Sequence, residues 1–354
     1  MKIAAALSGG VDSSVAAVLA QRAGHEVVGV TLRLRHPDPA FSASQLCAGK
    51  SDEESVRAVC RKLGIEAHFI DAFPRFSERV LRPAAEEYAA GRTPNPCCRC
   101  NEEVKFALLA AHAREIGAER IVTGHYAIID RSGAAPRLLR GEDPERDQSY
   151  FLYRLPPELL AMLDFPVGRL AKPEVRRIAA EHGLSTAERP DSQDACFQVP
   201  GECFGETLRR LFSLPRRPGR FLFEGREVGR HEGLHQYTIG QRKGLRVALG
   251  RPAYIRAIDP ETGDIEVVTD PASLLARAFF VNDLALPGGL PACAGVQIRY
   301  RGTPVPAAIE AAPGGALVTP EKPLRAVTPG QAAVFYDGRV LLGGGVIGEV
   351  IHAD

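Results

Sequence analysis

The chain has 354 residues, with 44 Lys plus Arg against 43 Asp plus Glu, so its formal net charge is +1. Hydrophobic residues make up 45% and charged residues 25%, which can bury real cores and excludes wholesale disorder. No apolar run approaches the ~20 residues of a membrane span, and Met1–Leu7 runs too quickly into a glycine loop for a signal peptide. We therefore expect a cytoplasmic protein that does not enter a membrane, with its eight cysteines reduced.

Residues 1–125 alternate short apolar runs with helical periods. The runs are bounded by Gly, Asp or Pro, as in strands buried on both faces of a parallel sheet; they are Lys2–Leu7, Glu26–Leu32, Ala67–Asp71 and Arg120–Thr123. Helices are predicted around Val15–Leu19, Val56–Leu63 and Val104–Ala111, and from Pro173 to Gly183. The alternation predicts a doubly wound α/β domain, in which ligands bind beyond the carboxyl ends of the strands.

The composition changes after residue 200. Gly205–Arg256 holds 12 Arg or Lys and 4 Glu, a net charge of +8. Aromatic residues and glycines lie between these charges, which suits an RNA backbone with unstacked bases; a solvated charged face is the ordinary alternative. From residue 275 onward the pattern is that of β-strands, with a hairpin signal at Asp337-Gly338. We predict a first domain over residues 1–200, a small basic central domain over residues 201–273, and a C-terminal β-barrel over residues 274–354.

The glycine loop Ser8-Gly9-Gly10-Val11-Asp12-Ser13-Ser14 follows the first predicted strand and opens the first helix. Glycines let backbone N–H groups approach an anion, and the helix N-terminus and the serine hydroxyls add to that attraction. The loop lacks the Gly-Lys-Ser/Thr of a Walker A motif. A plain turn capped by Asp12 or Ser13 is the alternative, but the first βα turn of a parallel sheet favours phosphate binding.

The loop resembles the PP-loop of ATP pyrophosphatases, whose pattern is Ser-Gly-Gly-x-Asp-Ser. The resemblance implies cleavage of ATP between the α and β phosphates, with adenylation of an acceptor and release of pyrophosphate. It also implies a Mg²⁺ ion that neutralises part of the negative charge of the pyrophosphate. The superfamily leaves the acceptor open: amidation, argininosuccinate-type synthesis or RNA thiolation. An amide or urea synthetase would need neither the basic segment nor the cysteines, and it would release pyrophosphate without tRNA.

Two cysteine motifs narrow the choice. One is Thr93-Pro94-Asn95-Pro96-Cys97-Cys98-Arg99-Cys100-Asn101, and the other is Asp191-Ser192-Gln193-Asp194-Ala195-Cys196-Phe197. With Gly124–Ala127, His235–Leu245 and Pro329–Val334, they resemble motifs of the tRNA-specific 2-thiouridylases (MnmA/TrmU) over essentially the whole chain. This resemblance implies ATP-dependent 2-thiolation of a wobble uridine in tRNA, by adenylation of the uridine and then sulfur transfer. A tRNA-binding protein that has lost catalysis is disfavoured, because the glycine loop and both family cysteines are intact.

The resemblance also assigns residues and partners. Cys100 matches the nucleophilic cysteine and Cys196 the cysteine that holds a persulfide, while Cys98 is a bystander. ATP contacts fall on Ala6, Leu7, Ser8, Gly9, Gly10, Val11, Asp12, Ser13, Leu32 and Gly124. Contacts to the target base and to tRNA fall on Asn95, Pro96, Cys97, His125, Arg146, Asp147, Gln148, Arg299, Tyr300 and Gln331. The implied partners are tRNA and a sulfur donor, which is a sulfur-relay protein, a cysteine desulfurase or inorganic sulfide.

The sequence departs from the family at Cys97, where the family usually has Asp. Three interpretations of the resulting Cys-x-x-Cys stay open. Cys97, Cys100 and Cys196 could ligate a 4Fe–4S cluster whose open iron holds a hydrosulfide. Alternatively, Cys196 carries a persulfide and Cys100 attacks it, leaving a disulfide. A structural zinc held by these three cysteines and Cys203 is the third interpretation, and spacing alone does not decide the ligand set.

Overall fold

The structure is a computed structural model that describes residues 1–36, 50–190, 197–199 and 201–353. These residues form two compact units. Unit 1 comprises Met1–Val80, Cys97–Gly201 and Arg339–Leu341, and unit 2 comprises Leu81–Pro96, Glu202–Gly338 and Leu342–Asp354. The domain boundaries predicted at residues 200 and 273 stay predictions.

Unit 1 contains seven of the described strands. They are β1 (Lys2–Ala6), β2 (Glu26–Arg33), β3 (Ala67–Asp71), β4 (Arg120–Val122), β5 (Ala127–Asp130), β6 (Arg137–Arg140) and β7 (Leu163–Asp164). The α-helices of the described chain are α1 (Val11–Arg22), α2 (Lys50–Leu63), α3 (Phe73–Phe76), α4 (Arg82–Ala89), α5 (Pro96–Arg99), α6 (Ala107–Glu115), α7 (Pro157–Met162), α8 (Lys172–Glu181) and α9 (Phe204–Leu211). Two π-helical segments, Ser77–Leu81 and Cys100–Phe106, precede α4 and α6.

A five-stranded sheet in the order β3-β2-β1-β4-β7 forms the centre of unit 1, and all its pairs are parallel. Side chains alternate across β1: Ile3 and Ala5 pack with α1 and α2, whereas Ala4 packs with α6 on the other face. Helices therefore cover both faces. The doubly wound α/β fold is confirmed, and all four predicted strands are present with ends that shift by at most one residue.

Because β1, β2 and β4 are adjacent and parallel, the loops that follow them lie at the same edge of the sheet. The glycine loop follows β1, and Thr123-Gly124-His125 follows β4. The hairpin of β5 and β6 then continues from that second loop, and Leu139 of β6 pairs with Val340.

Unit 2 contains two β-structures. The first is a four-stranded sheet in the order β10-β11-β8-β9, made of β8 (Gly219–Phe223), β9 (Arg226–His231), β10 (Tyr254–Ile258) and β11 (Ile265–Val268). The second is built from β12 (Leu275–Ala285), β13 (Cys293–Gln297), β14 (Val305–Ala312), β15 (Gly315–Pro320), β16 (Leu324–Arg325), β17 (Ala332–Asp337) and β18 (Val340–His352). Pairing of β12 with β18 closes β12-β15-β14-β13-β17-β18 into a six-stranded barrel, which confirms the predicted C-terminal β-barrel. Gly338, with a φ of 54°, turns the predicted hairpin between β17 and β18.

Helix α4 explains why Leu81–Pro96 belongs to unit 2. Tyr88 of α4 packs edge-on against Phe204 of α9, with ring centroids 6.2 Å apart. The Arg82 guanidinium lies 4.8 Å from the centroid of Phe212. These contacts hold the segment that leads to the cysteine motif within unit 2. Within the described part of the chain, none of the helices has both the length and the apolar content required to cross a bilayer.

Candidate active site

The glycine loop is held open by hydrogen bonds to its own carbonyl groups. Gly9 adopts a left-handed conformation with φ 81°, which favours glycine. The hydroxyls of Ser13 and Ser14 both donate to the Gly10 carbonyl, at 3.0 and 2.9 Å. The Ser8 N–H donates to the Ser13 hydroxyl at 3.2 Å. The two serine hydroxyls of α1 thus hold the Gly10 carbonyl from within the loop itself.

Asp12, in the first turn of α1, is the anchor of the loop. Lys172 donates from Nζ to both of its carboxylate oxygens, at 2.7 and 2.8 Å, and the Tyr126 hydroxyl donates to Oδ1 at 2.8 Å. Lys172 itself is buried at the start of α8. The buried cation therefore balances the carboxylate and joins three parts of unit 1 that are distant in sequence.

Gly124 lies directly against the backbone of Asp12 and Ser13. A Cβ atom at position 124 would lie 2.5 Å from the Asp12 carbonyl carbon and 2.5 Å from the Ser13 nitrogen. Only glycine therefore allows the loop after β4 to approach the backbone of α1 so closely. The predicted ATP-contact residues Ala6 to Ser13, Leu32 and Gly124 lie at or beside the carboxyl edge of three neighbouring strands.

His125 lies in an apolar setting beside the loop. Its ring packs against Phe106 and Phe165, with centroids 5.4 and 5.6 Å away, and Nδ1 lies 2.6 Å from the Thr123 hydroxyl. Burial, with the positive charge of Lys105 adding to it, holds the pKa of His125 well below its ordinary value. The ring is thus neutral at physiological pH, so it suits hydrogen bonding to an uncharged group better than charge pairing with phosphate.

The predicted tRNA contacts Asp147 and Gln148 also have internal partners that the sequence did not indicate. The buried Asp147 carboxylate accepts hydrogen bonds from Arg140 Nε, from the backbone of Gly141, and from both the backbone and the hydroxyl of Ser149, all between 2.9 and 3.1 Å. Gln148 Oε1 accepts from the Tyr126 N–H at 3.0 Å. Arg146 is partly buried next to them. This turn therefore fixes Tyr126, which in turn holds Asp12.

The cysteine motif lies on an irregular helix. Cys97 belongs to α5, and Cys100 begins the π-helical segment Cys100–Phe106. Such segments are rare and are frequent at functional sites. Cys97 is partly exposed and Cys100 is buried. The Cys98 thiol is buried and donates to the Tyr150 carbonyl at 3.8 Å, and burial, together with the neighbouring Cys97, holds its pKa well above its ordinary value.

Cys196 lies outside the described residues, but Phe197, which follows it, does not. The Phe197 ring is buried and packs with Phe73 and Phe76 of α3, with centroids 6.0 and 6.2 Å away. Arg75 of the same helix donates to the Glu103 carbonyl at 2.7 Å, within the π-helical segment that begins at Cys100. Helix α3 thus contacts both the residue after Cys196 and the helix of Cys100.

In unit 2, barrel residues hold the chain just before the cysteines. Gln331 Nε2 donates to the carbonyls of Thr93 and Pro94, at 2.9 and 3.3 Å. The Thr93 N–H donates to the Pro329 carbonyl at 2.9 Å, and its hydroxyl donates to Thr238 at 3.0 Å. Gln331 was predicted to contact tRNA, and that role stays a prediction. Its observed contacts hold the backbone just before Asn95 and Pro96, which are both partly buried.

Two further predicted tRNA contacts, Arg299 and Tyr300, follow β13 in unit 2. Arg299 is exposed, and its carbonyl accepts hydrogen bonds from Gln297 Nε2 and from the Gly302 N–H, both at 3.0 Å. Tyr300 lies under the Arg301 guanidinium, 5.3 Å from the ring centroid. The turn therefore presents a cation beside an aromatic ring.

Part of the charge of the basic segment is balanced by acidic partners in the folded chain. Arg220 and Arg256 pair with Asp264 and Glu266, which lie just beyond Gly205–Arg256. Arg230 pairs with Glu227 inside it. Six cations of the segment are exposed and have no ion pair within the described residues: Arg217, Arg226, Arg242, Lys243, Arg246 and Arg251. Sequence counting alone cannot separate these two classes of cation.

Comparison with known proteins decides the family. A family model described as tRNA methyl transferase HUP domain matches residues 1–200. The tRNA methyl transferase PRC-barrel domain matches residues 213–269, and the aminomethyltransferase beta-barrel domain matches residues 279–347. A tRNA-specific 2-thiouridylase MnmA of Roseiflexus castenholzii is 45% identical over 98% of this chain and 99% of its own. The chain belongs to the tRNA-specific 2-thiouridylase family.

Other members of the 2-thiouridylase family match over similar lengths. The protein of Geobacter metallireducens is 40% identical over 98% of this chain and 96% of its own, and that of Methylorubrum populi is 42% identical over 99% and 94%. A 4-thiouridine synthetase solved with RNA and ATP is only 17% identical, with a TM-score of 0.36 over 60% of this chain and 50% of that one. The family predicted from the motifs is confirmed.

The close approach at Gly124 is testable. We expect Gly124→Ala to weaken ATP binding at least roughly tenfold, because the added methyl group must displace the backbone of Asp12 and Ser13. Titration calorimetry with ATP measures this. Gly133→Ala is the control, since the nearest atom to a Cβ there is 3.9 Å away. Equal ATP affinities in the two variants would contradict the role assigned to Gly124.

Proposed function

We propose that this 2-thiouridylase family member catalyses the ATP-dependent 2-thiolation of a wobble uridine in tRNA. The observation that carries the proposal is the glycine loop, open at the carboxyl edge of a parallel sheet and anchored through Asp12 to the buried Lys172. Such a loop suits the pyrophosphate of ATP. The relatives named above are described as tRNA-specific 2-thiouridylases, which supports tRNA as the partner.

In the first step, the oxygen on C2 of uridine attacks the α-phosphorus of ATP, and pyrophosphate leaves. The N–H groups of the glycine loop and the positive end of α1 bind the pyrophosphate as its charge develops. Mg²⁺ usually takes most of its ligands in nucleotide sites from phosphates and water. The Asp12 carboxylate already accepts two hydrogen bonds from Lys172, so it serves as an anchor for the loop rather than as a metal ligand.

In the second step, the terminal sulfur of a persulfide on Cys196 attacks C2 of the adenylated uridine, and AMP leaves. The Cys100 thiolate then attacks the Cys196 sulfur and breaks the S–S bond, so the transferred sulfur stays on the base. The product is 2-thiouridine and a Cys100–Cys196 disulfide, which a thiol reductant must reduce before the next turnover. The contacts of α3 with Phe197 and with the helix of Cys100 support this pairing of cysteines.

Neutral His125 is proposed to contact the flipped base. An imidazole whose Nδ1 faces Thr123 can offer Nε2 to a uridine edge. The base must leave the anticodon stack, at a cost of a few kcal/mol. The apolar rings of Phe106 and Phe165 around His125 exclude water, which would otherwise hydrolyse the adenylate.

A 4Fe–4S cluster remains the competing hypothesis for the sulfur step. Cys97 and Cys100, three residues apart in a continuous helical stretch, lie on one face, as ligands to one cluster require. Cys196 would be the third ligand, and a hydrosulfide held on the open iron would supply the sulfur. Within residues 1–36, 50–190, 197–199 and 201–353, no three His, Cys, Asp or Glu side chains are grouped so that they could hold a metal. The zinc hypothesis, the identity of the sulfur donor and the cytoplasmic location also stay predictions.

Pyrophosphate release tests the adenylation step. We expect release with ATP to require a tRNA that has uridine at the wobble position, and to fail with the same tRNA carrying cytidine there. Cys100→Ser should still release pyrophosphate but form no 2-thiouridine, because only the sulfur step needs the thiol. Release without tRNA would instead favour a PP-loop synthetase.

Cys97 separates the two sulfur hypotheses. Under the persulfide mechanism, Cys97→Ala and Cys97→Asp should lose at most a modest fraction of the thiolation rate. Under the cluster hypothesis, Cys97→Ala should lose bound iron, visible absorbance and activity together. Cys98→Ala is the control, since that thiol bonds to the Tyr150 carbonyl and belongs to neither mechanism. Thiolation by iron-free Cys97→Ala supplied with a sulfur donor would exclude the cluster.

The unpaired cations of unit 2 allow a test of tRNA binding. Replacing Arg242 and Lys243 by Ala should weaken tRNA binding and reduce the slope of log affinity against log salt by roughly 1 to 2, because about two counterion releases are lost. The control replaces Arg230 and Arg256, whose charges already pair with Glu227 and Glu266. If the salt slope of the variant equals that of the wild type, these two residues do not contact tRNA phosphates and the segment is an ordinary solvated charged face.

A further inference from the structure

The glycine loop depends on one arginine that neither the motifs nor the family resemblance singled out. Arg189 Nη1 donates to the Gly9 carbonyl at 2.8 Å. The same nitrogen also donates to the Ser55 hydroxyl of α2 at 3.1 Å. The guanidinium therefore lies between the phosphate loop and a second helix of unit 1.

The position of this contact matters because of peptide geometry. In a planar trans peptide, the C=O and the following N–H point to opposite sides. The Gly10 carbonyl is held by Ser13 and Ser14, so the Val11 N–H points the other way. The Gly9 carbonyl is held by Arg189, so the Gly10 N–H likewise turns away from the guanidinium. Each of these two successive N–H groups is thus turned away from the side chains that hold its carbonyl, as donors to a bound anion are.

Arg189 is itself fixed by α8. Arg176 of that helix donates from Nη2 to the Arg189 carbonyl at 3.0 Å, and from Nη1 to the Ala187 carbonyl at 2.6 Å. The same helix begins with Lys172, which holds Asp12. Helix α8 therefore supports the glycine loop in two ways. Lys172, at its start, binds Asp12. Arg176, within it, holds the backbone of Arg189, whose side chain binds the Gly9 carbonyl.

We propose that Arg189 is a positioning residue for the adenylation step, which holds the Gly9–Gly10 peptide with its N–H toward the pyrophosphate of ATP. Its positive charge behind the loop adds to the attraction for the leaving group. The chain reaches Cys196 seven residues after Arg189. The same contact therefore joins the ATP loop to the start of the segment that carries the predicted persulfide cysteine. The inference rests on the function proposed above.

The test compares Arg189→Gln and Arg189→Lys with Arg177→Gln, which changes an exposed arginine of α8 that pairs with Glu174 and Glu181. Pyrophosphate release in the presence of tRNA is measured against ATP concentration, with tRNA affinity and melting temperature measured alongside. We expect Arg189→Gln to raise the KM for ATP or lower kcat roughly tenfold, the effect of losing one charge-assisted hydrogen bond. Arg189→Lys should recover part of this loss, because lysine can still donate to Gly9. The tRNA affinity should stay within twofold of the control.

Two results would overturn the inference. One is kinetics of Arg189→Gln that match those of Arg177→Gln. The other is a parallel loss of melting temperature, tRNA affinity and activity that lysine does not rescue, which would mark a merely structural arginine. Direct ATP titration separates this inference from the proposed function. If the wild type releases no pyrophosphate with tRNA, the function fails, while weakened ATP binding in Arg189→Gln would still support the role of the arginine.

Discussion

The ion pair between Asp12 and Lys172 is the interaction on which the site depends. The buried ammonium meets both carboxylate oxygens, and the Tyr126 hydroxyl adds a third bond. Tyr126 is in turn held by Gln148. A charge removed from water in this way is tolerated only with such partners. The pair therefore joins the first turn of α1 to the start of α8 and, through Tyr126, to the residue that precedes β5.

The irregular helix of the cysteine motif begins close to the point where the chain passes from unit 2 to unit 1. Residues Leu81–Pro96 belong to unit 2, and the chain re-enters unit 1 at Cys97. Just before that return, Gln331 and Pro329 bind Thr93. The π-helical segment then begins at Cys100. A widened helical turn there changes the direction in which the following side chains point, and the buried Cys100 is its first residue.

Charge in unit 2 is distributed more unevenly than its sequence implies. The run of +8 contains arginines that pair with Asp264, Glu266 and Glu227. These arginines have their charge balanced within the folded chain, so they attract a polyanion less strongly than the unpaired cations do. Exposed cations such as Arg242 and Lys243 are available for phosphate contacts. The surface suited to RNA is consequently narrower than the basic segment.

Patterns of neighbouring residues in the sequence were sufficient to predict the parallel sheet, the glycine loop and the family. Apolar runs bounded by Gly, Asp and Pro predicted the four strands, and the loop between β1 and α1 is a pattern of adjacent residues. The six-stranded closure of the barrel was beyond such signals, because β12 and β18 pair across more than fifty intervening positions. The internal partners of Asp147 and Gln331 were also missed, since a polar side chain in sequence looks the same whether its partner is RNA or its own backbone.

Sequence alone therefore identified the family and the residues on which the proposed chemistry rests, which are the glycine loop and the two family cysteines. Tertiary structure alone decided which residues hold that chemistry in place. Lys172 lies 160 residues from Asp12, and Arg189 lies 180 residues from Gly9. Contacts over such separations follow from how helices pack on a sheet, and they leave no local pattern in the sequence.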